Sequence, residues 1–133
     1  MTRTVAVETD RRLQVLDVTD AVADAVGVDD GLCAVTVRHT TAGVTVNEAE
    51  EGLMADLEDA LRDVVPRGDG YRHDAIDDNA DSHIRSALIG SSAAVPVEDG
   101  TPALGTWQRV MLVECDGPRR REIAVTSVPA EGA

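Results

Sequence analysis

The sequence predicts an α+β domain with a largely antiparallel, sandwich-like sheet core and two or three helices to one side. Three observations predict it. Short runs rich in Val and Thr, separated by turn words such as Glu98-Asp99-Gly100 and Asp116-Gly117-Pro118, fill both ends of the chain. Between them Leu53, Leu57, Leu61 and Val64 recur at helical spacing. A length of 133 residues suits a single domain, 1–133, and one Trp, one Tyr and no Phe leave the core to Val, Leu, Ile and Ala.

Taken in order, Thr4 to Glu8 and Leu13 to Val18 read as an opening hairpin about Thr9-Asp10-Arg11. Thr19 or Asp20 caps a short helix through Val26, ended by Gly27, with Val22, Ala25 and Val26 on one face. Leu32 to His39 follows as a strand whose inward row is Cys33, Val35, Val37 and His39. Asn47 is placed to cap the next helix, with Glu50 completing a capping-box-like pattern, and Met54 and Ala60 support the Leu stripe up to Pro66. The stretch Arg67 to Asp78 is a Gly- and Asp-rich loop, long enough to suggest a functional one. Asp78 or Asn79 then opens a helix whose inward face, by spacing, is Ala80, His83, Ile84, Ala87 and Leu88, and Gly90 ends it. From Ser91 onward the chain reads as strands: Ala93 to Val97, Gln108 to Cys115 and Arg121 to Ser127.

The formal charge is -13, from 25 acids against 12 arginines. No acidic tail concentrates those acids, and the composition reads as adaptation to a salt-rich cytoplasm rather than to a basic partner. Nucleic acid is not an expected partner, because Arg119-Arg120-Arg121 is the one basic run and has no aromatic platform beside it. The sequence has no stretch of membrane-spanning length and no signal-like opening, so a cytoplasmic protein with no membrane partner is expected. Cys33 and Cys115 lie in apolar alternation without CxxC spacing and read as buried free thiols.

All three histidines fall in polar words in the middle of the chain: His39 in RHTTAGVTVNE, His73 in YRHDAIDD and His83 in DDNADSHIRSALIGSS. Imidazole is both the usual neutral metal ligand and the usual acid or base near pH 7, so this confinement points to one site. Each histidine taken singly also suits a structural role. Asp74, Asp77, Asp78, Asn79 and Glu48 accompany them and can complete or orient a mixed site, or belong to ordinary loop acidity. Thr40, Thr41, Ser91 and Ser92, with Arg109 as counter-charge, can donate to phosphate oxygens or satisfy turns. No GxSxG elbow, P-loop or GxGxxG is present.

The ordered words HTTAGVTVNE, YRHDAIDDNADSHIRSALIGSS and VPVEDGTPALGTWQRVMLVECDGPRRREIAVTSV resemble the YjbQ-like family, also called secondary thiamine-phosphate synthases, from about Thr4 to Val128. The resemblance implies a YjbQ-like α+β fold, a homotrimer, and a pocket in which His39, His73 and His83 fall on positions of metal ligands. Glu48 and Asp78 fall on motif positions fit for catalysis, and Asn79, Trp107 and Gln108 on positions fit for substrate; whether Asp77 or Asp78 holds the acidic position is left open by the loop. The implied activity joins a pyrimidine pyrophosphate to a thiazole phosphate and releases pyrophosphate, with a small phosphorylated or heterocyclic metabolite as partner. Three imidazoles suit Zn²⁺, with Ni²⁺ or Fe²⁺ next, whereas the synthase activity calls for Mg²⁺. The alternative is a non-catalytic trimeric module that binds a metabolite or a metal in the same pocket.

Overall fold

Val-rich alternation puts every second side chain of a strand on one face, and the chain resolves into two sheets whose inner faces share that apolar row. The computed structural model describes residues 1–131. Its elements in order are β1 (Thr2–Glu8), β2 (Gln14–Asp17), α1 (Thr19–Ala25), β3 (Gly31–Val37), β4 (Ala42–Asn47), α2 (Glu51–Val64), a 3₁₀ turn (Arg72–Ala75), α3 (Ala80–Ile89), β5 (Ser92–Glu98), β6 (Thr101–Pro102), β7 (Arg109–Glu114) and β8 (Arg120–Pro129). One sheet has the order β1-β8-β3-β5-β6 and the other β2-β7-β4, with every pairing antiparallel.

The strand β7 is the hinge of the layering. Val110 and Leu112 join Cys33, Val35, Val37 and Val44 in the core between the sheets. Met111, Val113 and Cys115 point the other way and meet Met54, Leu57 and Leu61 of α2 and Ile89 of α3 in a second core. The helices α2 and α3 therefore cover the outer face of the smaller sheet, which is why β7 is buried on both sides. Cys33 and Cys115 are free thiols within these two layers.

The structure corrects several expectations. The first two strands are not a hairpin: β1 pairs with β8 and β2 with β7, because the chain changes sheets at Thr9, whose N–H bonds the Arg119 carbonyl. The strand β4, hidden in HTTAGVTVNE, and the short β6 were not anticipated. Glu50 rather than Asn47 caps α2, its carboxylate accepting from the N–H groups of Gly52 and Leu53. Val64, expected in the α2 stripe, is 71% exposed.

The largest correction concerns α3, which turns its polar side inward. Asp81, Ser82, Arg85 and Ser86 are buried, while Ile84 is 37% and Leu88 63% exposed. Hydrogen bonding outweighs apolar burial here. The Asp81 carboxylate takes Arg12 at 2.7 and 3.1 Å and Arg85 at 3.1 Å, Ser82 donates to the Cys115 carbonyl at 2.5 Å, and Arg85 donates twice to the Val65 carbonyl. Burial would raise the Asp81 pKa, but the Arg12 hydrogen bonds and the charges of Arg12 and Arg85 hold it below the ordinary carboxylate value. Gly43 lets α3 come this close, since a Cβ there would stand 2.6 Å from the Gly90 carbonyl oxygen, and Gly90 ends the helix at φ 96°.

Candidate functional site

Where β3, β4, β7 and β8 end together, short segments deliver polar groups to one corner. His39 and Thr40 follow β3, Thr41 precedes β4, Asp116 follows β7, and Arg119 and Arg121 flank the start of β8. Asn79 and His83 come from the start and middle of α3, and Ser91 from the bend after it. These line an open cavity of 720 Å³ together with Arg38. His83 also lines a second cavity of 620 Å³ with Tyr71, Arg72, His73, Ala80 and Ile84.

A chain of bonds fixes one wall. Arg119 donates to Asp116 at 2.9 Å, the Asn79 amide donates to Asp116 at 3.0 Å, and the Asn79 oxygen faces His73 Nε2 at 3.1 Å. With the Asn79 amide nitrogen spent on a carboxylate, its oxygen is the acceptor, so His73 carries its proton on Nε2. His39 Nε2 accepts the Glu122 N–H at 3.2 Å, which places that ring's proton on Nδ1. The His83 ring has no hydrogen bond among the described residues, and it stands 4.8 Å from that of His73 in an edge-on arrangement. His83 is the one imidazole left free for a ligand.

Behind the cavity lies a buried ion pair. Arg121, 2% exposed, donates through Nε and Nη2 to Glu114, which is 0% exposed, and through Nη2 to the carbonyl and hydroxyl oxygens of Thr41. Glu114 also accepts from Thr9 at 2.8 Å and from the Asp116 N–H at 3.1 Å. Arg121 Nη1 has no hydrogen bond among the described residues, and Arg121 lines the cavity. Arg38, Arg119 and Arg121 thus line a space with a single carboxylate, Asp116; Arg119 is paired with Asp116 and Arg121 with Glu114, while the Arg38 guanidinium has no partner among the described residues. An unpaired guanidinium beside neutral donors is a lining suited to an anion.

Burial first, and then the charge of Arg121, push the His39 pKa below its ordinary 6.5. The sign follows from linkage: the unfolded chain takes up this proton before the native one, so stability is whole above pH 6.5 and falls as the pH drops below it, toward the native value. Urea unfolding followed from pH 7.5 down to pH 5.5, with acidities chosen around about 6.5, should show that decline, and His39→Gln should flatten it. An identical slope in both proteins would remove His39 as its source.

The residues expected to form the site divide. His39, Thr40, Thr41, Asn79, His83 and Ser91 meet on the first cavity, and His73 joins His83 on the second. Ser92 is exposed at the start of β5. Asp78 is 84% exposed and reaches only Arg67, and Asp77 accepts the Asp78 N–H. Glu48, Trp107, Gln108 and Arg109 lie at the opposite end of the smaller sheet, where Arg109 pairs with Asn47 in register and with Asp17 by a 2.7 Å bond. Sequence reasoning missed Arg38, Arg121, Asp116 and Arg119 as site residues. The Arg119-Arg120-Arg121 run was the available signal, and it was weighed only against nucleic acid.

Two of the imidazoles have Nε2 engaged, and among the described residues no group of three or more His, Cys, Asp or Glu stands close enough to hold an ion. No helix among them is long and apolar enough to cross a membrane.

Comparison with known proteins finds relatives of this chain in archaea and bacteria. A UPF0047 protein of Archaeoglobus fulgidus is 45% identical over 121 residues, 91% of this chain and 96% of the relative. Bacillus subtilis YugU, also a UPF0047 protein, is 33% identical over 128 residues, 91% of this chain and 94% of the relative. Among solved structures, a hypothetical protein of Aeropyrum pernix K1 superposes with a TM-score of 0.93 at 44% identity, covering 98% of this chain and 99% of that one. A YbjQ-like protein of unknown function from Sulfolobus solfataricus P2 also gives 0.93, at 35% identity, covering 98% and 97%. The family described as UPF0047 protein YjbQ-like matches residues 3–130, and the chain belongs to that family.

Proposed function

We propose that the chain is an enzyme acting on a small phosphorylated metabolite in the 720 Å³ cavity, with thiamine-phosphate formation as the activity to assay first. The observation that carries this reading is the uncommitted His83 ring on a cavity lined by three arginines, of which Arg38 is exposed and has no partner among the described residues. Phosphate oxygens accept from Arg38 and Arg121 Nη1, while the hydroxyls of Thr40 and Ser91 add neutral donors. In the synthase reaction a C–O bond to pyrophosphate breaks as a C–N bond to the thiazole nitrogen forms. The guanidiniums stabilise the charge growing on the departing pyrophosphate, and His83 delivers a proton to it.

Incubating the protein with the pyrimidine pyrophosphate and the thiazole phosphate, and measuring thiamine phosphate and pyrophosphate, tests this. Stoichiometric release of both products supports it. A second reading, a module that binds a phosphorylated metabolite without turning it over, is favoured by the position of Glu48 and Asp78 away from the cavity within one chain. Binding without turnover would establish that reading.

The acidity belongs to the same proposal, as an adaptation to high salt. Screening lengthens from about 3 Å at 1 M to about 10 Å at 0.1 M, so self-repulsion at -13 grows on dilution. Melting temperatures should therefore fall from molar KCl to 0.1 M KCl, concentrations set by those two screening lengths of about 3 and 10 Å. A flat profile would assign the acidic surface to a basic partner.

A further inference from the structure

Five of the twelve arginines come together at one place away from the histidines. Arg11 and Arg12 lie in the crossing between β1 and β2, Arg62 in the last turn of α2, Arg67 just past that helix, and Arg85 on α3. They line an open recess of 390 Å³ whose two remaining residues, Leu13 and Pro66, carry no charge. No acid lines it, in a chain where acids outnumber arginines two to one. The recess shares no residue with the histidine cavity. Helix geometry separates them, because His83 stands two residues from both Asp81 and Arg85, about 200° round α3 at about 100° per residue.

The partners of these arginines divide them into a fixed floor and a movable rim. Arg12 and the buried Arg85 share one buried carboxylate, Asp81, so two guanidiniums meet a single negative charge. Arg85 is further held by its bonds to the Val65 carbonyl, and Arg11 by two bonds to Glu58 at 2.8 and 3.2 Å. Arg62 and Arg67 are held far less. Each has one bond, at 2.9 Å to Asp59 and at 3.4 Å to Asp78, and those carboxylates are 72% and 84% exposed. Exposed pairs of this kind are weak, so both guanidiniums can turn to a better acceptor.

A singly charged anion offers Arg62 or Arg67 no more than the carboxylate it displaces. A ligand gains only by carrying several charges close together, so that one molecule replaces both acids and meets the surplus charge of the Arg12 and Arg85 floor. Phosphate oxygens have that density of charge and match the guanidinium fork. We infer that this recess is a second anion site, taking a compact chain of phosphates, a di- or triphosphate group, between the Arg12 and Arg85 floor and the Arg62 and Arg67 rim. The site is independent of the functional reading given above, since neither its residues nor its ligand need turnover at His83.

The test titrates the full chain with inorganic triphosphate at one fixed KCl concentration and follows backbone amide resonances, so that each site reports separately: Arg67 and Gly68 for this rim, Thr40 and Ser91 for the histidine cavity. Saturable shifts at Arg67 and Gly68 are expected, with affinity climbing from orthophosphate through pyrophosphate to triphosphate. Arg62→Ala and Arg67→Ala, both at exposed positions, should each weaken that binding at least about tenfold, the scale of one charge-assisted hydrogen bond, with an unchanged far-ultraviolet spectrum. Arg38→Ala should leave it alone, and Arg67→Ala is the background in which the histidine cavity is measured by itself. Asp59→Asn frees Arg62 and should tighten binding, whereas Asp24→Asn, at an exposed acid of α1, should not. Inorganic triphosphate and adenosine triphosphate carry the same chemistry: equal affinity assigns the site to the bare phosphate chain, tighter nucleotide binding to a nucleotide's tail. Absence of saturable shifts at the rim, undiminished affinity in both arginine variants, or equal tightening by Asp59→Asn and Asp24→Asn would overturn the inference.

Discussion

Glu114→Ala should cost about 3–5 kcal/mol of folding stability, the usual penalty for leaving one member of a buried ion pair uncompensated. The substitution strips Arg121 of its carboxylate at a site where both side chains are almost wholly out of water, and it also leaves the Asp116 N–H without its acceptor and Thr9 without one of its two acceptors. Against a typical total of about 5–15 kcal/mol, such a loss leaves a marginal protein. Urea midpoints measured in molar KCl would register it. Replacing the pair together, as Glu114→Leu with Arg121→Met, should recover much of the loss, since matched apolar side chains avoid the desolvation of two ions. A single-variant loss below about 1 kcal/mol, the range of exposed pairs, would show that water reaches this pair.

On the proposed synthase reading, His83→Ala should lower thiamine-phosphate formation by at least about 10²-fold, the usual worth of a positioned acid or base. His83 lines both the arginine cavity and the His73 hollow, and its nitrogens carry no internal hydrogen bond, so nothing in the fold requires them. The variant should keep its melting temperature. His73→Ala serves as a contrast: its Nε2 is held by Asn79, so its loss should act mainly by loosening the Asn79-Asp116 wall. Equal turnover in His83→Ala and the wild type would remove the imidazole from the chemistry.

The fold was legible where apolar periodicity and burial agree. Cys33, Val35 and Val37 are the inner row of β3 as their alternation requires, and Leu57 and Leu61 pack as the α2 spacing predicts. It was illegible where polar satisfaction outweighs apolar burial. The α3 spacing favours an inward Ile84 and Leu88, yet Asp81, Ser82 and Arg85 have partners on Arg12, Cys115 and Val65 that lie far off in sequence. A charge network of that kind leaves no local period. The same holds for the site. Histidine, threonine and asparagine words were visible, whereas Arg38 and Arg121 acquire meaning only when the ends of β3 and β8 come together.

That cavity's affinity for a phosphate-bearing anion is the central claim, and calorimetric titration of the purified protein with inorganic pyrophosphate tests it most directly. Arg38 is exposed and free of internal bonds, so Arg38→Ala removes a ligand contact without disturbing the fold. The account predicts saturable binding that weakens as salt rises, and that weakens at least about tenfold in Arg38→Ala, the scale of one charge-assisted hydrogen bond. Absence of saturable binding, or equal affinity in the two proteins, would contradict it.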